Sequence, residues 1–321
     1  MGAVVVIVAV GATLAWAAAP PTEITGGAVA NRQAVRHLPP GATTLAGCPV
    51  FPADNPWNAD IRALPVRSNS AAMISKIQSI GGDFLWPDFA PNTEYGMPFV
   101  VVPRSQPLVP VTYDLYGDES DPGPMPIPLD APVESGGDRH VLVVQQGTCR
   151  LFELFGARRS GGGWVAASGA AFDLRSNGLR PDRWTSADAA GLPIVPGLVR
   201  CADMAAGRIT HAVRVTFEQT QRGYVHPARH AASSSTDPNL PAMGMRLRLR
   251  ADFDLSAFTG QARIMLEAFK TYGLIVADNG QNWFFQGERA DCFDEAALRQ
   301  IRGKVPGTAF DVVDTGPVIP Y

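Results

Sequence analysis

The sequence predicts a mainly β fold, a jelly-roll-like β-sandwich with a few peripheral α-helices. Glycine occurs 32 times and proline 28 times in 321 residues, and both residues interrupt helices and favour turns. Runs with the apolar or alternating pattern of strands span residues 99–102, 109–116, 140–145, 149–155, 164–167, 211–217 and 245–252. Seven short strands separated by turn residues indicate stacked sheets.

Composition excludes some classes of protein. Hydrophobic residues make up 46% of the chain and charged residues 18%, which is enough apolar material for one large core and too little charge for a disordered protein. The net charge of -3 lacks the basic excess that neutralises phosphates. The sequence therefore predicts no nucleic-acid partner.

The leading segment is typical of an exported protein. Residues 4–14 are apolar and 15–19 are mostly small, which predicts a signal peptide over residues 1–19. An uncleaved membrane anchor is the alternative, because no basic side chain precedes the apolar run. Residues 20–47 lack hydrophobic periodicity and predict a flexible spacer, which leaves 48–316 as a single β-sandwich-like domain. We expect an extracellular protein without membrane contact after cleavage.

The four cysteines are widely spaced, which fits an exported chain with two disulfides better than a zinc site that needs close pairs. Three connectivities are possible. The segment after the spacer needs a covalent link to the domain, which favours a disulfide between Cys48 and Cys149 and leaves Cys201 to pair with Cys292. Free buried thiols are the alternative.

Helical periodicity is limited to three segments. Apolar residues recur at helical spacing over 71–80 and 260–272, each followed by a glycine, and a short helix is predicted over 294–302. A strand over 274–277 leads into Asp278-Asn279-Gly280. That tripeptide predicts a hairpin-type turn toward residues 283–285.

Glu153 is the one carboxylate within the apolar strand at 149–155. Alternation puts it on the face of Leu151 and Phe155, where burial should raise its pKa, as in acid/base sites. The alternative is a structural carboxylate paired with Arg150 or Arg158.

Two of the five histidines are candidates for proton transfer. His140 and His211 each begin a predicted strand, and both could converge on Glu153. His226 and His230 have the i,i+4 spacing of zinc ligands, but the surrounding sequence is typical of a loop. His37 falls in the spacer and is expected to be solvated.

Residues 179–194 combine acids, arginines and an aromatic in a predicted loop and single helical turn. Asp182 and Asp188 are candidate partners for Glu153, while Arg180, Arg183 and Trp184 form the kind of stacking and hydrogen-bonding surface that sugars need. A purely structural loop is the alternative.

Two other residues are candidates for substrate binding, namely Arg248, on the basic face of a strand, and Asp278, at the predicted turn. The acidic stretch 117–124 could bind calcium, but a solvated loop is favoured. No cofactor is predicted, and a divalent metal remains an open alternative.

Five segments together resemble a group of secreted bacterial proteins with no established activity. They are residues 51–58, 138–144, 179–200, 243–249 and 272–280, and the likeness covers about 48–314. The resemblance implies an exported single domain and transfers no catalytic residue.

These patterns favour a secreted carbohydrate-active enzyme, either a glycoside hydrolase or a polysaccharide lyase. Glu153 would be the acid/base and Asp182 or Asp188 its partner, with His140 and His211 relaying the proton. The expected partner is a polysaccharide or cell-wall glycan. The alternative is a glycan-binding or cell-wall-binding module without catalysis.

Overall fold

The structure is a computed structural model that describes residues 44–87, 89 and 96–321. The predicted signal peptide, almost all of the predicted spacer, and His37 lie outside the described residues. The described helices are α1 Ser70–Ile80, α2 Cys201–Ala206, α3 Gly260–Thr271 and α4 Glu295–Ile301. Single 3-10 turns occur at Pro56–Asn58, Gly117–Glu119, Val195–Gly197 and Gly307–Ala309.

Strands dominate the described residues, so the predicted mainly β fold is confirmed. They are β1 Trp86–Pro87, β2 Phe99–Val102, β3 Val111–Tyr113, β4 Val141–Gln145, β5 Arg150–Phe155, β6 Arg158–Ser160, β7 Gly163–Ala166, β8 Ser168–Asp173, β9 Val213–Phe217, β10 Gly223–Tyr224, β11 Arg246–Leu249, β12 Leu274–Asn279, β13 Phe284–Phe285, β14 Phe310–Val313 and β15 Ile319–Pro320.

The strands form two larger sheets and two smaller ones. The six-stranded sheet has the order β1-β13-β9-β12-β11-β14 and the four-stranded sheet the order β2-β4-β5-β8. Strands β3-β7-β6 make a three-stranded sheet, and β10 pairs with β15.

Alternation along β4 shows how the sheets are layered. Val141 and Val143 belong to a smaller core with Trp164 of β7, whereas Leu142 and Val144 belong to the main core, which also contains the buried residues of β9 and β12. The four-stranded sheet is therefore covered on both faces, by the three-stranded sheet on one side and the six-stranded sheet on the other.

Helix α3 follows its sequence pattern. Its buried residues include Met265, Leu266 and Phe269, and the Phe269 ring meets Phe285 of β13 edge-on, with centroids 5.2 Å apart. The amphipathic stripe thus covers one face of the six-stranded sheet.

The predicted hairpin at Asp278-Asn279-Gly280 is wrong. Strand β9 lies between β12 and β13, parallel to the first and antiparallel to the second. A Cβ atom on Gly280 would lie 2.9 Å from the hydroxyl oxygen of Thr216 on β9. Gly280 therefore permits close approach of β9 instead of closing a hairpin.

The helical turn predicted near residue 188 is also wrong, because residues 185–191 form bends and turns without a helix. Two short side-chain contacts replace helical bonding: the Ser186 hydroxyl oxygen accepts from the Asp188 amide at 2.9 Å, and Asp188 Oδ1 accepts from the Ala190 amide at 3.1 Å. Local side-chain to backbone bonds of this kind compete with helix formation.

Both expected disulfides are present. Cys48 bonds Cys149, and Cys201 bonds Cys292. The first bond fastens the segment that follows the predicted spacer to the start of β5. No free cysteine occurs within the residues that the structure describes.

Candidate functional site

A cleft of about 360 Å³ opens where the four-stranded and six-stranded sheets meet. Phe155 and Ser168 come from β5 and β8, and Asp278 and Asn279 end β12. The 185–189 loop lies between them. The complete lining is Tyr116, Asp138, Phe155, Ser168, Thr185, Ser186, Ala187, Asp188, Ala189, His230, Ala232, Asp278 and Asn279.

Asp188 is held in place from several directions. Its Oδ2 accepts from Arg214 Nη2 at 2.7 Å and Nε at 3.2 Å, in addition to the Ala190 amide on Oδ1. Both side chains of the pair are 0% exposed. Burial raises the pKa of Asp188 against the opposing charge of Arg214.

Arg214 joins this buried pair to the cleft. It lies on β9 opposite Ile275 of β12, and its Nη2 is 3.7 Å from Asp278 Oδ2. Its Nη1 also donates to the side-chain oxygen of Gln286. One guanidinium thus fixes the geometry of two aspartates.

Of the two aspartates beside Arg214, Asp278 is the one that reaches the cleft surface, with 24% of its side chain exposed. It follows a register irregularity in β12, between Val276 and Asp278, a feature that can redirect a side chain beside a functional site. Burial and then the charge of Asp188 raise its pKa to about 7, although Arg214 acts in the opposite direction. Asp278 therefore carries a proton near neutral pH in an appreciable fraction of molecules.

His230 lines the same cleft. Its Nδ1 lies 2.7 Å from the carbonyl oxygen of Ala189, and a contact with a carbonyl requires that this nitrogen donate. Its Nε2 is 3.8 Å from Glu119 Oε2. With Nδ1 donating to the Ala189 carbonyl, Nε2 is the ring nitrogen that remains for another partner.

Glu153 does not line the cleft, although it is buried as the sequence predicts. Its side chain is 0% exposed, and its oxygens accept from the amides of Ile194 and Val195 at 2.9–3.0 Å. The alternative pairing with Arg150 or Arg158 is wrong, because these amides open the Val195–Gly197 turn and occupy the carboxylate. Burial raises the pKa of Glu153 to about 7 despite these bonds, and the nearby charge of Asp188 adds to the rise.

His140 is buried beside this region and both of its ring nitrogens are engaged. Nδ1 lies 2.5 Å from Glu134 Oε2, and Nε2 lies 3.0 Å from the carbonyl oxygen of Ala187. Burial alone would lower the pKa of His140 and raise that of Glu134, but their mutual hydrogen bond and charges reverse both shifts. Both ring nitrogens of His140 thus face oxygen atoms, so the ring holds the Ala187 carbonyl beside Asp188 and neither nitrogen is left for a proton relay.

His211 belongs to a different cluster. Its Nε2 is 3.3 Å from Asp203, and its Nδ1 is 2.7 Å from the carbonyl oxygen of Ala212. It does not line the cleft. Of the two histidines that could converge on Glu153, His140 acts on its pKa through charge, whereas His211 binds Asp203 and the Ala212 carbonyl instead.

The predicted sugar surface at residues 180–184 does not line the cleft either. Arg180 is buried and binds Asp121 and two carbonyl groups, with its guanidinium carbon 5.5 Å from the centre of the Trp184 ring. Asp182 accepts from Tyr224 and pairs with Arg229, and Arg183 stacks on Tyr321. These contacts brace the loop.

Arg248 is also a structural residue. Its Nη1 donates to the carbonyl oxygens of Ile61, Arg62 and Leu64, and its Nη2 is 3.7 Å from Asp311. It fastens the 61–64 segment to β11, and it does not line the cleft.

Within the described residues, one group has the proximity expected of metal ligands, namely Cys201, Glu288 and Cys292. Its two cysteines form a disulfide, so their sulfur atoms are not available as thiolate ligands. Two carboxylates of the acidic stretch 117–124 bind other parts of the protein. Asp121 binds Arg180, and Glu119 accepts from the Thr185 amide.

The sequence did not predict a role for Arg214 or the position of His230 in the cleft. Arg214 had a usable signal, since it is the one charged residue in the apolar run 211–217, as Glu153 is in its own strand. His230 had none, because its cleft position depends on long-range packing of an irregular loop.

Comparisons of the chain with protein-family models, with curated proteins and with solved structures found no match. None of the described helices combines the length and apolar character required to cross a membrane.

Proposed function

We propose that this protein is a secreted enzyme that cleaves a glycan by general acid/base catalysis. The observation that carries the proposal is Asp278, a cleft carboxyl group whose pKa is raised to about 7 beside the buried Asp188–Arg214 pair. Neighbouring carboxyl groups kept in different protonation states are a recurrent basis of acid/base sites.

In this proposal Asp278 protonates the leaving oxygen of a glycosidic bond, and His230 removes a proton from the attacking water. Water then supplies the new C–O bond as the old one breaks, and the two residues exchange protonation states. Asp188 and Arg214 act on Asp278 through charge and position, since neither is accessible to a substrate.

Other chemistries have less support. The Ser186 hydroxyl donates to the carbonyl of Leu192 at 2.6 Å, and the Ser168 hydroxyl donates to that of Ser186 at 2.7 Å. Neither serine is paired with a base, as an acyl-transfer nucleophile would be.

Tyr116 lines the cleft and is 46% exposed. In this proposal it supplies the aromatic face for a sugar ring that was expected of Trp184.

The two disulfides and the predicted signal peptide support export. Glu153 and His140, expected to be catalytic, become positioning residues in this proposal, because Glu153 holds the Ile194 and Val195 amides and His140 holds the Ala187 carbonyl beside Asp188. A binding module without catalysis would need the aromatic face but not the raised pKa of Asp278.

The test compares Asp278→Asn with Asp182→Asn on a panel of polysaccharides, with release of reducing ends as the readout. Loss of a general acid costs about 10²–10⁴-fold in rate, so we expect that loss for Asp278→Asn and near-normal rates for Asp182→Asn. Loss of activity in Asp182→Asn with a near-normal rate in Asp278→Asn would instead favour Asp182, a catalytic residue predicted from the sequence. Wild-type protein that binds glycans without cleaving any of them would be a binding module.

A further inference from the structure

The cleft lining contains three aspartates and one histidine, of which Asp188 is buried against Arg214 and Asp278 has a raised pKa. Asp138, Asp188 and Asp278 are present, and among the described lining residues there is no lysine or arginine. Asp138 is the exposed aspartate of this lining.

Two basic side chains near this site, Arg214 and His140, are already engaged. Arg214 is 0% exposed and is bound by Asp188, with Asp278 and Gln286 also in contact. His140 is buried between Glu134 and the carbonyl of Ala187. Neither cation can pair with an anionic group on a substrate without first leaving its own partners.

Anionic sugars would therefore be repelled from the cleft. A uronate would bring a carboxylate next to Asp138 in a cleft whose described lining has no lysine or arginine, and juxtaposed like charges select against such a ligand. Lyase chemistry on a uronate also needs stabilisation of the negative charge that develops beside its carboxylate, and the described lining residues include no lysine or arginine for this.

We propose that the cleft selects uncharged or amino-bearing glycans over uronates and that Asp138 is the residue responsible for this selection. The inference rests on the proposed function and makes it more specific: the reaction is hydrolysis, not elimination. An amino sugar is accommodated because its ammonium group complements Asp138.

Binding can be measured separately from cleavage with the Asp278→Asn variant. The probes are two neutral polymers, cellulose and xylan, their counterparts oxidised to carboxylate form, and chitosan, each tested by affinity electrophoresis or sedimentation. We expect retention by a neutral polymer or chitosan and at least tenfold weaker binding of the matched oxidised polymers. Equal or tighter binding of the oxidised forms, or no binding to any probe, would overturn the inference.

Adding Asp138→Asn to that background should strengthen binding of the oxidised polymer at least threefold and leave binding of the neutral polymer within twofold. Asp118→Asn is the matched control, because Asp118 is exposed and outside the cleft lining. Equal effects of the two substitutions would show that net charge, not Asp138, sets the selectivity. Selectivity without cleavage by the wild type would refute the proposed enzyme while supporting the specificity.

Discussion

Arg214 Nη2 lies 2.7 Å from Asp188 and 3.7 Å from Asp278, so one guanidinium nitrogen connects a fully buried carboxylate to one that reaches the cleft. Burial raises the pKa of Asp188, whereas Arg214 and the Ala190 amide act in the opposite direction, and any charge on Asp188 raises the pKa of Asp278. The two aspartates are therefore expected to titrate as a coupled pair.

Activity should decline as the pH rises through about 7, because Asp278 must be protonated to act as an acid. Its pKa is raised from an ordinary 3.8, so its contribution to stability is full below that value and is lost as the pH rises through about 7. Asp278→Asn should remove this loss. Urea unfolding across the pH range measures it, and an unchanged pH dependence in the variant would contradict the assignment.

Arg214→Gln should affect activity through Asp188 and Asp278. Removing one member of a buried ion pair costs about 3–5 kcal/mol in free energy of unfolding, and it also removes the charge that opposes protonation of Asp278. In variant protein that remains folded, we expect the alkaline limb of the pH-rate profile to move to higher pH. A uniform loss of rate with an unmoved profile would indicate misfolding alone.

Glu153→Gln should leave the protein folded, because the raised pKa means that the wild-type side chain carries a proton in many molecules near pH 7. Ionisation of Glu153 costs stability, so its contribution is full below its ordinary pKa and is lost as the pH rises through about 7. The variant should flatten that part of the profile. Glu153→Leu leaves the Ile194 and Val195 amides unpaired and should cost about 1–3 kcal/mol for each.

Gross instability of Glu153→Gln at neutral pH would mean that Glu153 is ionised in the native state. Circular dichroism and urea unfolding at pH 5 and pH 8 separate these outcomes. The leucine variant is the control for loss of all hydrogen bonding at this position.

Glu134→Gln should lower the pKa of His140, because the carboxylate is what raises it. The contribution of His140 is complete below its ordinary value of 6.5 and is lost as the pH rises through its folded-state pKa. The contribution of Glu134, whose pKa is lowered from 4.5, is present above that value and is lost as the pH falls through its folded-state pKa. NMR titration of the His140 ring measures the shift, and an unmoved pKa would exclude the pairing.

Thiol labelling of denatured, unreduced protein should detect no free cysteine. Each disulfide closes a long loop, with sequence separations of 101 and 91 residues, so replacing either pair by serine should destabilise the protein by about 2–5 kcal/mol. Labelling of two or more cysteines would show that pairing in the isolated protein is incomplete.

Local patterns in the sequence predicted the layers and the burial of Glu153, because alternation and helical periodicity depend on near neighbours. They missed β8, whose Ser-Gly-Ala-Ala start has little apolar character although it pairs along the whole of β5. They also placed β13 beside β12, since no local signal indicates that β9 lies between them.

In the candidate site, too, local sequence patterns indicated single residues but not their distant partners. Glu153 and Arg214 each stand out in an apolar strand, yet the partner of each side chain is distant in sequence, as for Arg214 with Asp188, 26 residues away. The sequence could nominate Asp188 and Asp278, but the guanidinium that joins them becomes evident only in the fold.

The residues that line the cleft are divided mainly between two separate sheets and the segment that connects β8 to β9. Asp278 belongs to the six-stranded sheet, while Phe155 and Ser168 belong to the four-stranded one. Neither sheet could assemble the site alone, so a fragment containing one sheet should have no residual activity. A small slip between the layers would separate the acid from the opposite wall before either sheet unfolded, and catalysis would therefore fail at milder denaturant concentrations than secondary structure.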